Sequence, residues 1–348
     1  MSIEKTEIII VGYGNVARGV HKAILKNKRL YNDMELVGII TRRPEKVKEE
    51  VKGIDVYKND INDWINLEAD VAILCGGSAK DLPEQGPFYA NYFNTVDSFD
   101  THNHIGPYID EKTQMKKQGY LKDMDDVAKM SGNTCAVSLG WDPGIFSMER
   151  LLVDSFLTGT KAYGFYGLTE KGGLSMGHSD AIRRIEGVAD ARQYTHAIPE
   201  AIERVRSGEN PDLEPGDMHW RECFVVLSKY GNKEQVEHEI KTMPDYFKPY
   251  RTTVNFIKKE EMERKHSDMP HDGLVIAVGK TGDGNIAKIE YKCQWESNPE
   301  ATGSIMVAYA RGVYRFNKEG KTGAFTSLDF PASYLSPHSL ETLTKKFM

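Results

Sequence analysis

The chain has 348 residues, enough for two domains with separate cores. Its formal net charge of −6, with no basic block, speaks against a nucleic-acid partner. Cys75, Cys135, Cys223 and Cys293 contain no Cys-x-x-Cys pair, so reduced thiols in a cytoplasmic protein are expected rather than a disulfide framework or a zinc ribbon. No apolar stretch approaches the roughly 18 residues that span a bilayer. Glu4 and Glu7 precede the first apolar run, which is unlike a signal peptide.

That first run, Ile8-Ile9-Ile10-Val11, enters Gly12-Tyr13-Gly14-Asn15-Val16-Ala17 and leaves as a helix-like segment over residues 16–26. Strand, glycine turn and helix in this order predict a dinucleotide fold. Gly12 permits the tight turn, Gly14 lets backbone approach a pyrophosphate, and Ala17 keeps helix and strand close. The phosphates then meet free N–H groups at the helix start. The next run, Met34-Glu35-Leu36-Val37-Gly38-Ile39-Ile40, reads as a buried parallel strand. It ends in Thr41-Arg42-Arg43 rather than in the carboxylate that binds the ribose 2′-hydroxyl of NAD. Two guanidiniums and a hydroxyl suit a 2′-phosphate, so NADP is the expected cofactor.

A third strand at residues 69–75 closes in Gly76-Gly77-Ser78, and a fourth at 93–97 leads into Ser98-Phe99-Asp100. Residues 105–131 contain a helix. A further strand at 134–139 stops at Gly140-Trp141-Asp142-Pro143-Gly144. This alternation predicts an α/β, Rossmann-type doubly wound parallel sheet over residues 1–145. Ligands in such sheets bind beyond the carboxyl ends of the strands, so Gly76 to Ser78, Ser98 to Asp100 and Trp141 to Gly144 are candidate contacts. His102-x-His104 resembles half a metal site without further ligands, and no metal is expected.

After Pro143 the pattern changes. Helical segments at 146–157, 179–184 and 199–207 precede alternating segments at 222–228, 251–257, 274–279, 286–294 and 303–311. Turns such as Gly282-Asp283-Gly284-Asn285 join them, which predicts an α+β substrate-binding and dimerisation domain with a mixed sheet over residues 146–319. Residues 320–348, with Ser336-Pro337-His338-Ser339-Leu340 opening a short helix, are expected to pack back on the first domain.

Several collinear segments carry a resemblance. They are Val11-Gly12-Tyr13-Gly14-Asn15, Ser78-Ala79-Lys80-Asp81-Leu82-Pro83-Glu84-Gln85, Thr95-Val96-Asp97-Ser98-Phe99-Asp100 and Gly140-Trp141-Asp142-Pro143-Gly144. They continue in Gly177-His178-Ser179-Asp180-Ala181-Ile182-Arg183-Arg184, Gln193-Tyr194-Thr195, Cys223-Phe224-Val225-Val226, Thr242-Met243-Pro244-Asp245-Tyr246-Phe247 and Met269-Pro270-His271. From Ile8 to beyond Leu335 the chain resembles the diaminopimelate dehydrogenase family. The resemblance implies a homodimer that oxidises the D-centre of meso-2,6-diaminopimelate with NADP⁺, giving L-2-amino-6-oxopimelate and ammonia. The reverse, a reductive amination, would serve lysine and cell-wall precursor synthesis.

Carried over by motif, the cofactor contacts fall on Gly12, Tyr13, Gly14, Asn15, Val16, Thr41, Arg42, Arg43, Cys75, Gly76, Gly77, Ser78, Ser98, Phe99, Asp100, Gly140, Trp141, Asp142, Pro143 and Gly144. The substrate contacts fall on Asp100, Trp141, Asp142, Gly177, Asp180, Thr195, Arg221, His271 and Asn298. Tyr166 and Met176 join them at two departures from the family pattern. Phe165-Tyr166-Gly167 stands where many members have Phe-Trp-Gly, and is followed by an extra run over residues 168–171. Met176 replaces a Gln whose amide hydrogen bonds a thioether cannot make.

The implied substrate has two ammoniums and two carboxylates, so its pocket must supply charge of both signs. Asp100 and Asp142 suit the ammonium at the reacting end, and one of them is the candidate proton acceptor. Arg221, Thr195 and His271 suit the carboxylate at the far end, while Asn298 and the Gly177 backbone add neutral hydrogen bonds. A sugar dehydrogenase would show Glu-Lys-Pro after a strand, which is absent. A dihydrodipicolinate-type reductase would show a histidine-rich signature, also absent. An NADP-dependent D-amino-acid dehydrogenase of broader specificity, or a non-catalytic NADP-binding sensor, stands as the alternative.

Overall fold

The computed structural model describes residues 5–110, 113–244, 246–282 and 284–348. Glu4, Asp245 and Asp283, which belong to segments read above, lie outside them. Strand β1 (Thr6–Val11) is apolar on both faces, with Ile8 and Ile10 in one core and Ile9 and Val11 in another. Such a strand must lie in a sheet that helices cover on both sides.

That sheet is seven-stranded and parallel, in the order β16-β8-β5-β4-β1-β2-β3. Its members are β1, β2 (Met34–Thr41), β3 (Asp55–Lys58), β4 (Val71–Leu74), β5 (Asn94–Asp97), β8 (Thr134–Ala136) and the chain's last strand, β16 (Gly323–Phe325). A small antiparallel ribbon, β6 (Tyr108–Ile109) and β7 (Lys116–Lys117), leaves the chain after β5. Strand order reverses at β1 and β4, the topological switch point of a doubly wound sheet. Helices Asn15–Lys26 and Asn298–Lys318 contribute to the first core, and Leu82–Ala90 and Tyr120–Ser131 to the second.

Two expectations need correction here. The strand read at 69–75 is the fourth, because β3 was overlooked. It is four residues long and only half-buried, which leaves no apolar run to detect. Residues 303–311 are not a strand but the middle of helix Asn298–Lys318. A short apolar run does not separate a buried helix from a buried strand. Here Met306, Val307, Tyr309, Ala310 and Val313 recur at helical spacing on the buried side. The helix meets Asn15–Lys26 backbone to backbone. A Cβ on Gly19 would stand 2.5 Å from the Pro299 carbonyl, and one on Gly303 2.5 Å from the Val20 amide.

The compact units are Met1–Met148 with Pro299–Met348, and Glu149–Asn298. The chain therefore returns to the first unit at Pro299, whereas the sequence placed the return near 320. Arg311 anchors the returning segment. Its guanidinium makes two bonds to the Asp33 carboxylate, at 2.7 and 2.8 Å, and donates to the Leu30 and Leu335 carbonyls. Burial alone would raise the Asp33 carboxyl, but the Arg311 hydrogen bonds and charge outweigh it and hold it below its ordinary range.

The second unit holds two sheets. One has the order β10-β11-β12-β13, built from β10 (Gly173–Leu174), β11 (Val188–Ala197), β12 (His219–Leu227) and β13 (Thr252–Phe256). It is mixed, because β12 and β13 run parallel and the other pairs antiparallel. The other, β15-β14-β9, is antiparallel and uses β9 (Tyr163–Tyr166), β14 (His271–Thr281) and β15 (Asn285–Trp295).

Candidate active site

In the first unit the carboxyl ends of β1, β2 and β4 open onto a cleft of about 410 Å³. Gly12 turns the chain there with φ +85°, and a Cβ on it would stand 3.3 Å from the Cys75 carbonyl. A Cβ on Gly14 would meet nothing within 4 Å, so open space lies where a pyrophosphate would approach. Helix Asn15–Lys26 begins beside it with no side-chain cap and no acidic residue in its first turn, which leaves its amides and dipole to an anion.

Thr41, Arg42 and Arg43 line the same cleft. Arg42 pairs with Asp81 at 3.2 Å, and Arg43 donates to the Tyr13 carbonyl at 3.4 Å. These donors fit a phosphorylated ribose and leave no carboxylate in the place where an NAD site has one. Cys75, Gly76 and Gly77 form the opposite wall. Sequence reasoning missed Asn59, Asp81 and Gln85, which also line it. Asp81 accepts the Gly77 amide at 2.9 Å, and Gln85 presses on Gly76, where a Cβ would stand 2.4 Å from its amide oxygen. An Asp just before a Pro-containing helix start was the available signal for Asp81.

The loops after β4, β5 and β8 are bonded together. Ser78 Oγ accepts the Asp100 amide at 2.8 Å. Phe99 is buried and stacks on Tyr120 at 4.2 Å, so its side chain packs into the core. Ser98 is half-buried and Asp100 exposed. Gly140 bridges to Gly144. Trp141 is buried against Phe146, and Asp142 accepts the Ser147 hydroxyl at 3.2 Å.

In the second unit, register places Thr195 opposite Arg221. Arg221 is only 7% exposed and Thr195 2%. The guanidinium donates to Thr195 Oγ1, which also accepts from Gln193 at 3.3 Å, and lies 4.0 Å over the Tyr250 ring. It does not stack on Trp220, which covers His196 instead. Among the described residues no carboxylate pairs with Arg221, and its Nε has no partner. Burial pushes its pKa down from the ordinary arginine value. His219 is driven to about 3 by burial first and then by Arg221 and His271, so it is neutral, and it accepts the Tyr166 amide at 3.0 Å. The Tyr166 ring lies 5.3 Å from His219 and 6.2 Å from His271. His271 is buried, with its Nδ1 2.9 Å from the Asp272 amide and 3.1 Å from the Asp272 carbonyl. Asn298 is buried and donates to the Leu174 carbonyl at 3.3 Å.

Met176 and Gly177 open helix Met176–Arg183, capped by Ser175. Asp180 does not join the Arg221 cluster. It is exposed on that helix and pairs with Arg184 and, at 3.8 Å, with Arg183, the ordinary i, i+4 and i, i+3 contacts. The extra run over 168–171 is fastened by Asp272, which accepts the Leu168 amide at 2.9 Å. Among the described residues no group of three or more His, Cys, Asp or Glu is placed to hold a metal, and no helix is long and apolar enough to cross a membrane.

The model of the diaminopimelic acid dehydrogenase C-terminal domain matches residues 140–297. A meso-diaminopimelate D-dehydrogenase of Ureibacillus thermosphaericus is 50% identical over 346 residues, 99% of this chain and 100% of that protein. The chain belongs to the meso-diaminopimelate D-dehydrogenase family. It is accordingly an oxidoreductase acting on an amino acid. Two solved structures of the group cover 99% of this chain and 100% of their own. One is a meso-dapdh mutant from Clostridium tetani E88 with DAP, 43% identical at a TM-score of 0.85. The other is an engineered D-amino acid dehydrogenase bound to NADP⁺, 37% identical at 0.85. The six positions altered in the Clostridium tetani mutant have the mutual spacing of Met176, Thr195, Arg221, Pro270, His271 and Asn298, with the same original residue types except Gln in place of Met176.

Proposed function

We propose that the protein catalyses NADP-dependent oxidative deamination of the D-centre of meso-2,6-diaminopimelate, reversible as reductive amination. The observation that carries this reading is Arg221: a buried guanidinium that no carboxylate pairs among the described residues, bonded to Thr195 and accompanied by a neutral His219 and the buried His271 imidazole. An unpaired charge out of water costs several kcal/mol, and an anionic ligand offsets that. A planar carboxylate matches the fork of Arg and the flanking hydroxyl and imidazole. In the proposed complex this carboxylate is the far, L-configured one.

The glycine turn, the open helix start and the Thr41-Arg42-Arg43 segment support NADP⁺ as the cofactor. When bound, it accepts a hydride from the substrate carbon. Asp100 and Asp142 hold the ammonium at the reacting carbon, and one of them takes its proton, because only the neutral amine can expel hydride. Water then attacks the imine carbon, and ammonia leaves the 6-oxo product. Trp141 walls off water. The proposed setting is a cytoplasmic homodimer.

Mixing the protein with NADP⁺ and meso-diaminopimelate at alkaline pH, and following NADPH absorbance, tests the reading. Turnover of the meso isomer with none of the L,L isomer is expected. Equal turnover of both, or activity on a polyol alone, would overturn it.

A further inference from the structure

We propose that Asp97 is a positioning residue that ties the loop carrying Asp100 to the loop carrying Asp142; this rests on the roles just proposed for those two carboxylates. Asp97 ends β5 and has no exposed surface. One carboxylate oxygen accepts amides from both loops, Phe99 N–H at 3.0 Å and Ser138 N–H at 3.0 Å. The other accepts the Tyr120 hydroxyl at 2.8 Å. The Asp97 carbonyl also accepts the Leu139 amide, at 2.7 Å. Asp100 directly follows Phe99, and Asp142 lies four residues beyond Ser138.

Two further observations point to a spacing role rather than to simple filling. Ser138 sits at φ +58°, a left-handed conformation that residues with a Cβ avoid. Its hydroxyl is buried without a partner, so its own side chain does not hold that turn; the bond from its amide to Asp97 does. The Asp100 amide is in turn fixed on Ser78 Oγ, so a shift at Asp97 would be taken up toward Asp142. Burial raises the Asp97 carboxyl to about 6 against the pull of its amide and phenol donors, so near neutral pH it is mainly ionised and accepts on both oxygens.

The test uses the full-length protein with NADP⁺ and meso-diaminopimelate, measuring kcat, KM and NADP⁺ Kd. In Asp97→Ala both side-chain ties are lost and only the backbone bond to Leu139 remains; a displacement near 1 Å at the reacting groups can cost on the order of a hundredfold in rate. A fall in kcat of about tenfold or more is expected, with NADP⁺ Kd changed by less than about threefold. Asp97→Asn presents one oxygen to the same two amides and donates its N–H to the Tyr120 oxygen, so it should recover most of kcat. An unchanged kcat in Asp97→Ala, or an Asn variant as slow as the Ala variant, would overturn the proposal. Should Asp97→Ala fail to fold, Asp97→Ser, too short to reach both amides, takes its place with the same outcomes. Asp100→Asn and Asp142→Asn are run in parallel. Wild-type turnover in both would overturn the reading beneath the proposal, whereas slow turnover in both beside a fast Asp97→Ala would overturn the positioning role alone.

Discussion

Arg221→Met separates binding from folding, because the two should move in opposite directions. Met keeps most of the volume and removes the charge. Hydrogen bonds to charged groups contribute about 1.5–3 kcal/mol each, and the planar fork can offer a carboxylate two. Losing both costs about 3–6 kcal/mol, so KM for meso-diaminopimelate should rise at least about a hundredfold at 1.4 kcal/mol per decade. Folding has a different balance. Among the described residues the buried guanidinium has no acid partner, so the fold gives up the Thr195 bond and the Tyr250 ring contact, about 0.5–2 kcal/mol for the latter. Removing the buried charge offsets those losses, so stability should be unchanged or higher by up to about 2 kcal/mol. Each kcal/mol is worth about 2–4 °C for a unit of this size. Steady-state kinetics, NADP⁺ titration and a thermal melt give the three readouts. An unchanged KM, a matching loss of NADP⁺ affinity, or a melting point lower by about 5 °C or more would refute the argument and make Arg221 structural.

Arg42→Ala combined with Arg43→Ala should raise the Kd for NADP⁺ by about a hundredfold while leaving that for NAD⁺ within about threefold, as expected when charge-assisted bonds to one phosphate are lost; equal losses for both cofactors, by fluorescence titration, would contradict it. Gly19→Ala should destabilise by about 1–3 kcal/mol in urea unfolding, because the new Cβ meets the Pro299 carbonyl. Arg311→Ala should cost about 3–5 kcal/mol by leaving the partly buried Asp33 carboxylate without its partner. That pair also sets a pH dependence. The Asp33 pKa is depressed in the folded state, so its contribution is complete above the unfolded value of about 3.9 and disappears as pH falls through the lower folded value. Acid unfolding of wild type followed between those limits should therefore lose a component that Arg311→Ala already lacks.

The parallel sheet was legible because its inner strands are apolar on both faces, as Ile8 to Val11 are. What escaped notice lacked that signal. β3 is half-exposed at the sheet edge, and in the helix through Gly303 and Arg311 the short apolar run from Ile305 to Ala310 reads as a strand when taken alone. The cleft at the carboxyl ends of β1, β2 and β4 was readable from Gly12, Gly14 and Arg42, residues with one backbone or charge reason to be there. Asn59, Asp81 and Gln85 were not, since polar residues of their kind look like any solvated loop until the fold turns them inward. Thr195 and Arg221 are 26 residues apart and become neighbours only through the β11–β12 register, so no local spacing pairs them. Asp180 shows the converse: a charge near a helix start reads equally as a ligand contact or as a partner for Arg184, and in the structure it pairs with Arg184.

Isotope placement tests the central claim most directly. meso-Diaminopimelate carrying deuterium only at its D-configured α carbon should give deuterated NADPH, and the isomer labelled only at the L-configured α carbon should keep its label in the amino-oxo product. Deuterium arriving on the cofactor from the L-labelled substrate, or from both equally, would contradict the account of a diacid held by its L-carboxylate at Arg221.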